Sequence, residues 1–345
     1  RPRLVDWSLL ALVLFEAGSG LYSFLQGRPE NSWLFVLHGV TGLALVLLLV
    51  WKLKRVWKRV ADRRRWDGAT SAAVAALVFV LLAIGTGVVW TTAQWPLGYP
   101  NGMNWHVIFG LALALFVLLH MVLRYKPLRR ADITGRRAVL SGLTVLATGG
   151  AFWAVQNGAA RAADLPGARR RFTGSKSADA EPGLTYPVTM WMFDNPAPYT
   201  ANAWRLAVTG SVAHTLTLSA AELALAPVQE VTATLDCTGG WYTEQVWRGI
   251  PVAWVLEQAG LPDSAHAVSF VSATGYRWSV PPAEAQTLLL ATHVGGVPLD
   301  HGHGAPLRLV APGRRGFQWV KWVNEVRVLD APDLAQWGII FSSGL

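Results

Sequence analysis

The sequence predicts two architectures in series: an all-α bundle of five membrane-crossing helices, then an α+β, strand-rich domain. Three observations predict it. The 345 residues are 52% hydrophobic and only 15% charged, which excludes a disordered chain. The apolar residues of the first 155 positions gather into five runs of bilayer-spanning length. Beyond them, short β-branched runs alternate with Gly/Pro turns such as Ala311-Pro312-Gly313.

The helices are expected at about 4–25, 33–52, 70–92, 104–124 and 138–155, each near the ~20 residues that cross a bilayer. The net charge of +9 is unevenly placed. Residues 51–66 carry eight basic residues and 124–137 carry six, whereas from 156 onward 13 basic residues face 15 acidic ones. That distribution argues against a nucleic-acid-binding face. By the positive-inside rule it puts the two basic loops in the cytoplasm and everything after about 156 outside. The expectation is a protein of the bacterial cytoplasmic membrane. Residues 1–155 lie in the lipid bilayer, 156–185 form an Ala/Gly/Arg/Ser linker, and 186–345 form an extracytoplasmic domain. Arg136-Arg137, in Thr134-Gly135-Arg136-Arg137 before the fifth run, looks like an internal twin-arginine export signal, or simply a topology signal.

Ionisable groups inside such helices are costly and mark function. Four stand out: Glu16, His38, His106 and His120. His38 and His106 fall near the outer ends of helices two and four, ~8 and ~3 Å deep at 1.5 Å per residue. Two imidazoles on facing helices suit a six-coordinate haem b, with Gly39, Gly42 and Gly110 admitting the macrocycle. The alternative is that they hydrogen-bond neighbouring helices. His120 lies 14 residues after His106, about four turns and ~21 Å deeper. This half resembles the cytochrome b561-like membrane cytochromes, in which paired histidines hold one haem near each face. Position 14 after His38 is Lys52, so His120 has no histidine partner. One haem is expected, with His120 a possible second haem ligand or a quinone site. Glu16 fits a proton relay to quinone, or a hydrogen bond to a nearby serine or tyrosine.

In the second half, strands are expected at 204–212, 228–235, 267–272, 307–311 and 319–328, with helices at 251–260 and about 218–225. The single cysteine, Cys237, closes one strand before Gly239-Gly240. A buried inert thiol and a soft metal ligand both satisfy the residues alone. His301 and His303 stand at strand spacing, so a metal pair is another reading.

Residues 186–330 resemble the molybdopterin-binding domain of the sulfite oxidase family. The likeness rests on Thr232-Ala233-Thr234-Leu235-Asp236-Cys237-Thr238-Gly239, on Ala273-Thr274-Gly275-Tyr276, and on His303-Gly304-Ala305-Pro306-Leu307-Arg308-Leu309-Val310-Ala311-Pro312-Gly313 continuing to Val320-Lys321-Trp322. It implies that Cys237 ligates molybdenum and that Tyr276 sits beside the metal's oxo groups. His303, Arg308 and Lys321 would contact the pterin, and Gly313 and Gly316 would let backbone approach it. Where the family places substrate arginines, this chain has Gly240-Trp241-Tyr242 and Phe193-Asp194. Arg248, Arg277, Arg314 and Arg315 are the available substitutes. The family's C-terminal dimerisation domain has no counterpart, so no obligate dimer is expected. The shorter layout is similar to periplasmic protein-methionine-sulfoxide reductases.

The resemblances together imply a molybdenum–molybdopterin oxidoreductase exchanging electrons with quinone through haem b. A small sulfur compound is the expected substrate, first as a sulfite dehydrogenase, alternatively as an S-oxide (methionine sulfoxide) reductase. A catalytically dead pterin-binding membrane sensor is the alternative of another class.

Overall fold

The computed structural model describes residues 2–343 apart from 94, 99, 130–131, 133–135, 179–182, 191–193, 200–202 and 341, and apart from the side chain of Arg137. Thr134 and Gly135 of the export-like motif, and Phe193, therefore lie outside the described residues. The chain forms two compact units, Arg1–Lys176 and Ser177–Leu345.

The first unit contains α1 (Pro2–Ser23), α2 (Ser32–Ala61), α3 (Gly68–Thr92), α4 (Gly102–Leu123) and α5 (Arg136–Ala162). Each contains a stretch long and apolar enough to cross a membrane. α1 packs on α2 and α4, α3 on α4, and α5 on α2. Val13, Leu45, Ala76, Val80 and Leu113 form an interior core drawn from the first four helices. Leu115, Val122 and Val155 are 64, 78 and 68% exposed, an outward apolar surface of the kind lipid covers. Sharp caps fix the helix starts. Asp67 Oδ1 accepts the Thr70 N–H at 2.8 Å, and Asn101 Oδ1 accepts the Met103 N–H at 2.9 Å.

Two boundaries differ from expectation. α2 does not end at 52 but continues through Lys52–Ala61, because Lys, Leu, Arg and Val extend a helix with no Gly or Pro to stop it. Lys52 and Arg55 reach back to Asp6 of α1 at 2.6 and 2.5 Å. α5 likewise runs on to Ala162 through an alanine-rich stretch. The segment after it is no trailing linker up to 176. A 3-10 turn at Pro166–Arg169 packs on the end of α3, so closely that a Cβ on Gly167 would stand 2.4 Å from the Thr91 carbonyl carbon. Trp90 Nε1 donates to Gly174 O at 2.8 Å.

The second unit contains β1 (Arg205–Gly210), β2 (Leu216–Ser219), β3 (Gln229–Cys237), β4 (Trp241–Pro251), α6 (Val252–Ala259), β5 (Ala267–Ser272), β6 (Arg277–Val280), β7 (Leu289–Val294), β8 (Arg308–Val310) and β9 (Val323–Leu329). One sheet runs β2-β1-β9-β5-β6, with β1 and β9 parallel. In the other, β3 pairs β4, β4 pairs β7, and β7 pairs β8, all antiparallel. The longest strand, β4, was not expected. Its buried face reads Trp241, Thr243, Gln245, Trp247, and the two polar members hide the alternation. They satisfy each other instead, Gln245 Nε2 donating to Thr243 Oγ1 at 2.7 Å. β9 starts at 323 rather than 319, since Trp322 adopts a left-handed φ of 51°.

Candidate functional site

Cys237 ends β3 and pairs with Trp241 of β4 across a tight Thr238-Gly239-Gly240 turn. Its Sγ accepts the Gly239 N–H at 3.3 Å. Burial pushes the thiol up, while the Gly239 N–H, the Thr189 hydroxyl and the Arg315 charge pull it back. The turn Gly316–Gln318 lies directly against it, where a Cβ on Gly316 would sit 3.0 Å from Cys237 Cα. Tyr276 reaches the same turn, donating its hydroxyl to Phe317 O at 2.7 Å. Cys237, Tyr276 and Gly316 thus converge. Gly313 contributes a left-handed φ of 80° in the loop leading into that turn.

Buried cations accompany them. Arg308 is 3% exposed, donates Nη1 to His303 O at 3.0 Å and lies 5.4 Å over the Trp247 ring. Its Nε lacks a hydrogen-bond partner among the described residues. Lys321 Nζ donates to Gly302 O at 2.6 Å and Thr189 O at 2.8 Å. Burial first, then the neighbouring Arg308, brings its pKa down to about 7. The His303 ring nitrogens face Asp300 Oδ1 at 2.8 Å and Tyr186 O at 3.1 Å, so the ring braces the loop. His301 Nε2 meets Pro196 O at 2.8 Å. No group of three or more metal-type side chains occurs among the described residues.

The substitute arginines separate clearly. Arg277 is clamped by Asp333 at 2.7 Å and Arg314 by Glu284 at 2.5 Å. Arg248 is exposed on β4. Arg315 alone of the four touches Cys237, donating to its carbonyl at 3.2 Å with Asp236 3.6 Å away. Asp194 is 6% exposed, and burial raises its carboxyl against the hydrogen bond from Thr274. Thr189 was missed by sequence reasoning. It sits on an irregular segment without periodicity, where only contact geometry reveals it.

Residues 194–337 match the family described as the oxidoreductase molybdopterin binding domain. The C-terminal unit carries a molybdopterin-binding oxidoreductase domain. The chain is 31% identical over 209 residues to mouse mitochondrial sulfite oxidase, covering 48% of this chain and 38% of that one. It is 29% identical over 177 residues to the protein-methionine-sulfoxide reductase catalytic subunit MsrP of Gluconobacter oxydans, covering 45 and 54%. A crystal structure of the sulfane dehydrogenase SoxCD from Paracoccus pantotrophus aligns at TM-score 0.38 with 25% identity, covering 39 and 40%. The chain therefore spans about half or less of the length of these curated relatives. The molybdopterin-binding domain fits its anionic cofactor on the residues present, because Arg308 and Lys321 are buried cations and Arg308 keeps an orphaned Nε. Cys237 supplies a soft thiolate.

Lys321 gives the domain a pH signature. In the cofactor-free chain it loses its proton near pH 7, whereas an unfolded lysine does so near ~10.4. The unfolded state binds more protons between those values, so stability rises with pH across that window. Thermal unfolding of molybdenum-free protein from pH 7 to 10 should show this rise, and Lys321→Met should flatten it.

In the N-terminal unit the rings of His38 and His106 have centroids 6.1 Å apart and planes at 80° to each other. Two metal–imidazole bonds of about 2 Å plus the ring radii come to about 6 Å, so one iron fits between them. Both line a cavity of about 520 Å³. His106 Nδ1 meets Ala83 O at 2.8 Å, and His38 Nδ1 lies 2.9 Å from both Glu16 Oε2 and Ser19 Oγ. Anchored Nδ1 atoms are the usual outer support of metal-binding histidines. Thr41 Oγ1 donates to Glu16 Oε1, so Glu16 is held against His38, where sequence reasoning placed a proton relay or a hydrogen bond. Gly110 faces open space, but Cβ atoms on Gly39 and Gly42 would meet Trp153 and Glu16. All three glycines line the cavity. His120 is absent from the cavity lining. It rests on Ala69 O at 2.8 Å, and Lys52 is occupied by Asp6.

Proposed function

We propose that this chain is a membrane-bound oxidoreductase of the bacterial cytoplasmic membrane. A molybdenum–molybdopterin centre held by Cys237 outside the cytoplasm exchanges electrons with the quinone pool through haem b on His38 and His106. The convergence of Cys237, Tyr276 and the buried cations Arg308 and Lys321 carries this reading. The bound metal supplies two-electron oxygen-atom transfer. The chain's own residues do the rest. Cys237 anchors the metal, while Arg308 and Lys321 neutralise the cofactor's negative charge. Tyr276 is fixed by the Phe317 carbonyl at the rim of the same turn. In the membrane, Glu16 and Ala83 fix the orientation of the two imidazoles.

Sulfite ranks first on sequence, but the pairing of Arg277 and Arg314 favours an uncharged S-oxide, with Arg315 the one guanidinium of the four against Cys237. An oxyanion is best bound by bidentate arginines. Arg277 and Arg314 are spent on Asp333 and Glu284, and position 194, where the family resemblance implies a substrate arginine nearby, carries Asp. Reduction would run as S-oxide plus two electrons and two protons to sulfide plus water, with Asp194 a buried acid near Tyr276. The test is anaerobic visible spectroscopy of the purified, molybdenum-loaded protein. Methionine sulfoxide should reoxidise the dithionite-reduced haem, and sulfite should leave oxidised haem unchanged. Haem reduction by sulfite would reverse the assignment.

Glu16→Gln offers a separate check on the haem. Removing a carboxylate from His38 withdraws negative charge from the ligand and favours ferrous iron. The haem should remain bound with a higher midpoint potential, read by redox titration.

A further inference from the structure

One end of the helical bundle is strongly cationic. α2 runs past its apolar stretch through Lys52–Ala61, about 15 Å at 1.5 Å per residue. A 3-10 turn at Arg63–Arg65 follows, and α3 starts at Gly68. The turn is built into place. Asp62 Oδ1 accepts the Arg64 N–H at 3.1 Å, and Trp66 folds back to donate Nε1 to Val60 O at 3.1 Å. Residues 1–15, 51–67 and 124–137 hold four carboxylates, Asp6, Asp62, Asp67 and Asp132, and each already has a cation. Asp6 holds Lys52 and Arg55, Asp62 holds Arg65 at 3.0 Å, Asp67 holds Arg124, and Asp132 lies 3.9 Å from Arg3. Lys54, Lys58, Arg59, Arg63 and Arg64 are exposed. Among the described residues none of the four carboxylates pairs with them.

Two tryptophans set the depth of this patch. Trp51 and Trp57 are 48 and 59% exposed, and their levels along the helix differ by about 9 Å. An exposed indole at the end of an apolar helix belongs at the headgroup level, where its ring is covered and its N–H stays wet. Trp51, Lys54 and Lys58 share one helix face. We propose that Lys54, Lys58, Arg59, Arg63 and Arg64 form a docking surface for the headgroups of anionic phospholipids. The inference rests on the reading of the chain as membrane-spanning. The tryptophans hold these cations at the depth of lipid phosphates. A phosphodiester of net negative charge complements this end, whereas the choline of a zwitterionic headgroup would bring a second cation against it. The guanidiniums of Arg59, Arg63 and Arg64 suit phosphate through paired N–H donors, and each basic residue near the surface adds to the attraction.

The test titrates the full chain, in uncharged detergent at fixed ionic strength, with short-chain phosphatidylglycerol and with short-chain phosphatidylcholine, read by calorimetry. The wild type should prefer phosphatidylglycerol by at least about fivefold, the worth of one basic residue at a surface. Added sodium chloride should erode that preference, since the cations are exposed. K54Q/K58Q/R59Q/R63Q/R64Q should lose it, and K54R/K58R, which keeps every charge, should retain it. Both variants leave the four paired carboxylates and their cations in place, so thermal unfolding should match the wild type. R63Q/R64Q changes the turn alone and should weaken phosphatidylglycerol binding even if the larger variant fails to fold. Equal wild-type affinity for the two lipids, an unchanged preference in the glutamine variants, or displacement of the lipid by inorganic phosphate at the same ionic strength would overturn the proposal. Release of the chain from membranes by alkaline carbonate would remove the membrane reading itself and this surface with it.

Discussion

Cys237→Ser is expected to strip the protein of turnover by more than about 10²-fold, a loss that even an outer partner of a metal ligand can cause. The chain has one cysteine, so no second thiol can take over. A serine oxygen is nearly the same size but hard and poorly ionised, and it forfeits the soft donor that a transition metal selects. The side chain packs against the Gly239 N–H, and serine fills that space without a large cavity. The fold should survive, and the haem spectrum should be unchanged, because the histidines belong to a separate compact unit. Molybdenum content by elemental analysis and turnover with a soluble dye read the result. A variant with normal turnover would show that the metal is not held at Cys237.

His106→Ala has the complementary outcome. The ring is one of the two imidazoles 6.1 Å apart, and on the proposed haem reading its removal leaves iron with one protein ligand. The low-spin haem spectrum should disappear, and turnover with quinol should fall below detection. Turnover with a dye that feeds the C-terminal unit directly should persist. His120→Ala is the matched control. His120 lies outside the cavity lining and rests on Ala69, so its loss should leave haem content at one per chain. A halved haem content in that variant would instead establish a second haem.

The five helices were readable because hydropathy over about 20 residues is a strong and redundant signal. Their ends were not. α2 and α5 overrun the apolar runs because Lys52–Ala61 and Gln156–Ala162 keep helix propensity after they lose hydrophobicity. β1, β3, β5, β8 and β9 were readable where Val and Thr cluster; the short edge strands β2 and β6 and the inner β7 were not foreseen, and β4 was lost behind Thr243 and Gln245. At the site, Cys237 and Tyr276 came from motif likeness, since a lone cysteine says nothing by periodicity. His303 came from the same likeness, and the structure adds its neighbours Asp300 and Tyr186. Thr189 and the docked turn at Pro166–Arg169 needed three dimensions, because their partners are distant in sequence or are backbone carbonyls.

The β3–β4 hairpin has a consequence for maturation. Its ladder runs in register from Gln229↔Gly249 to Cys237↔Trp241, and Ala233, Leu235 and Cys237 alternate along one buried face. Side chains in a strand alternate with period two, so a slip of one residue would present Asp236 where the sulfur belongs. The whole hairpin therefore acts as a checkpoint on assembly: only a chain that has zipped correctly displays its thiol to an incoming metal centre. Substitutions far up the ladder that loosen pairing should yield folded but metal-poor protein, a defect of loading rather than of catalysis.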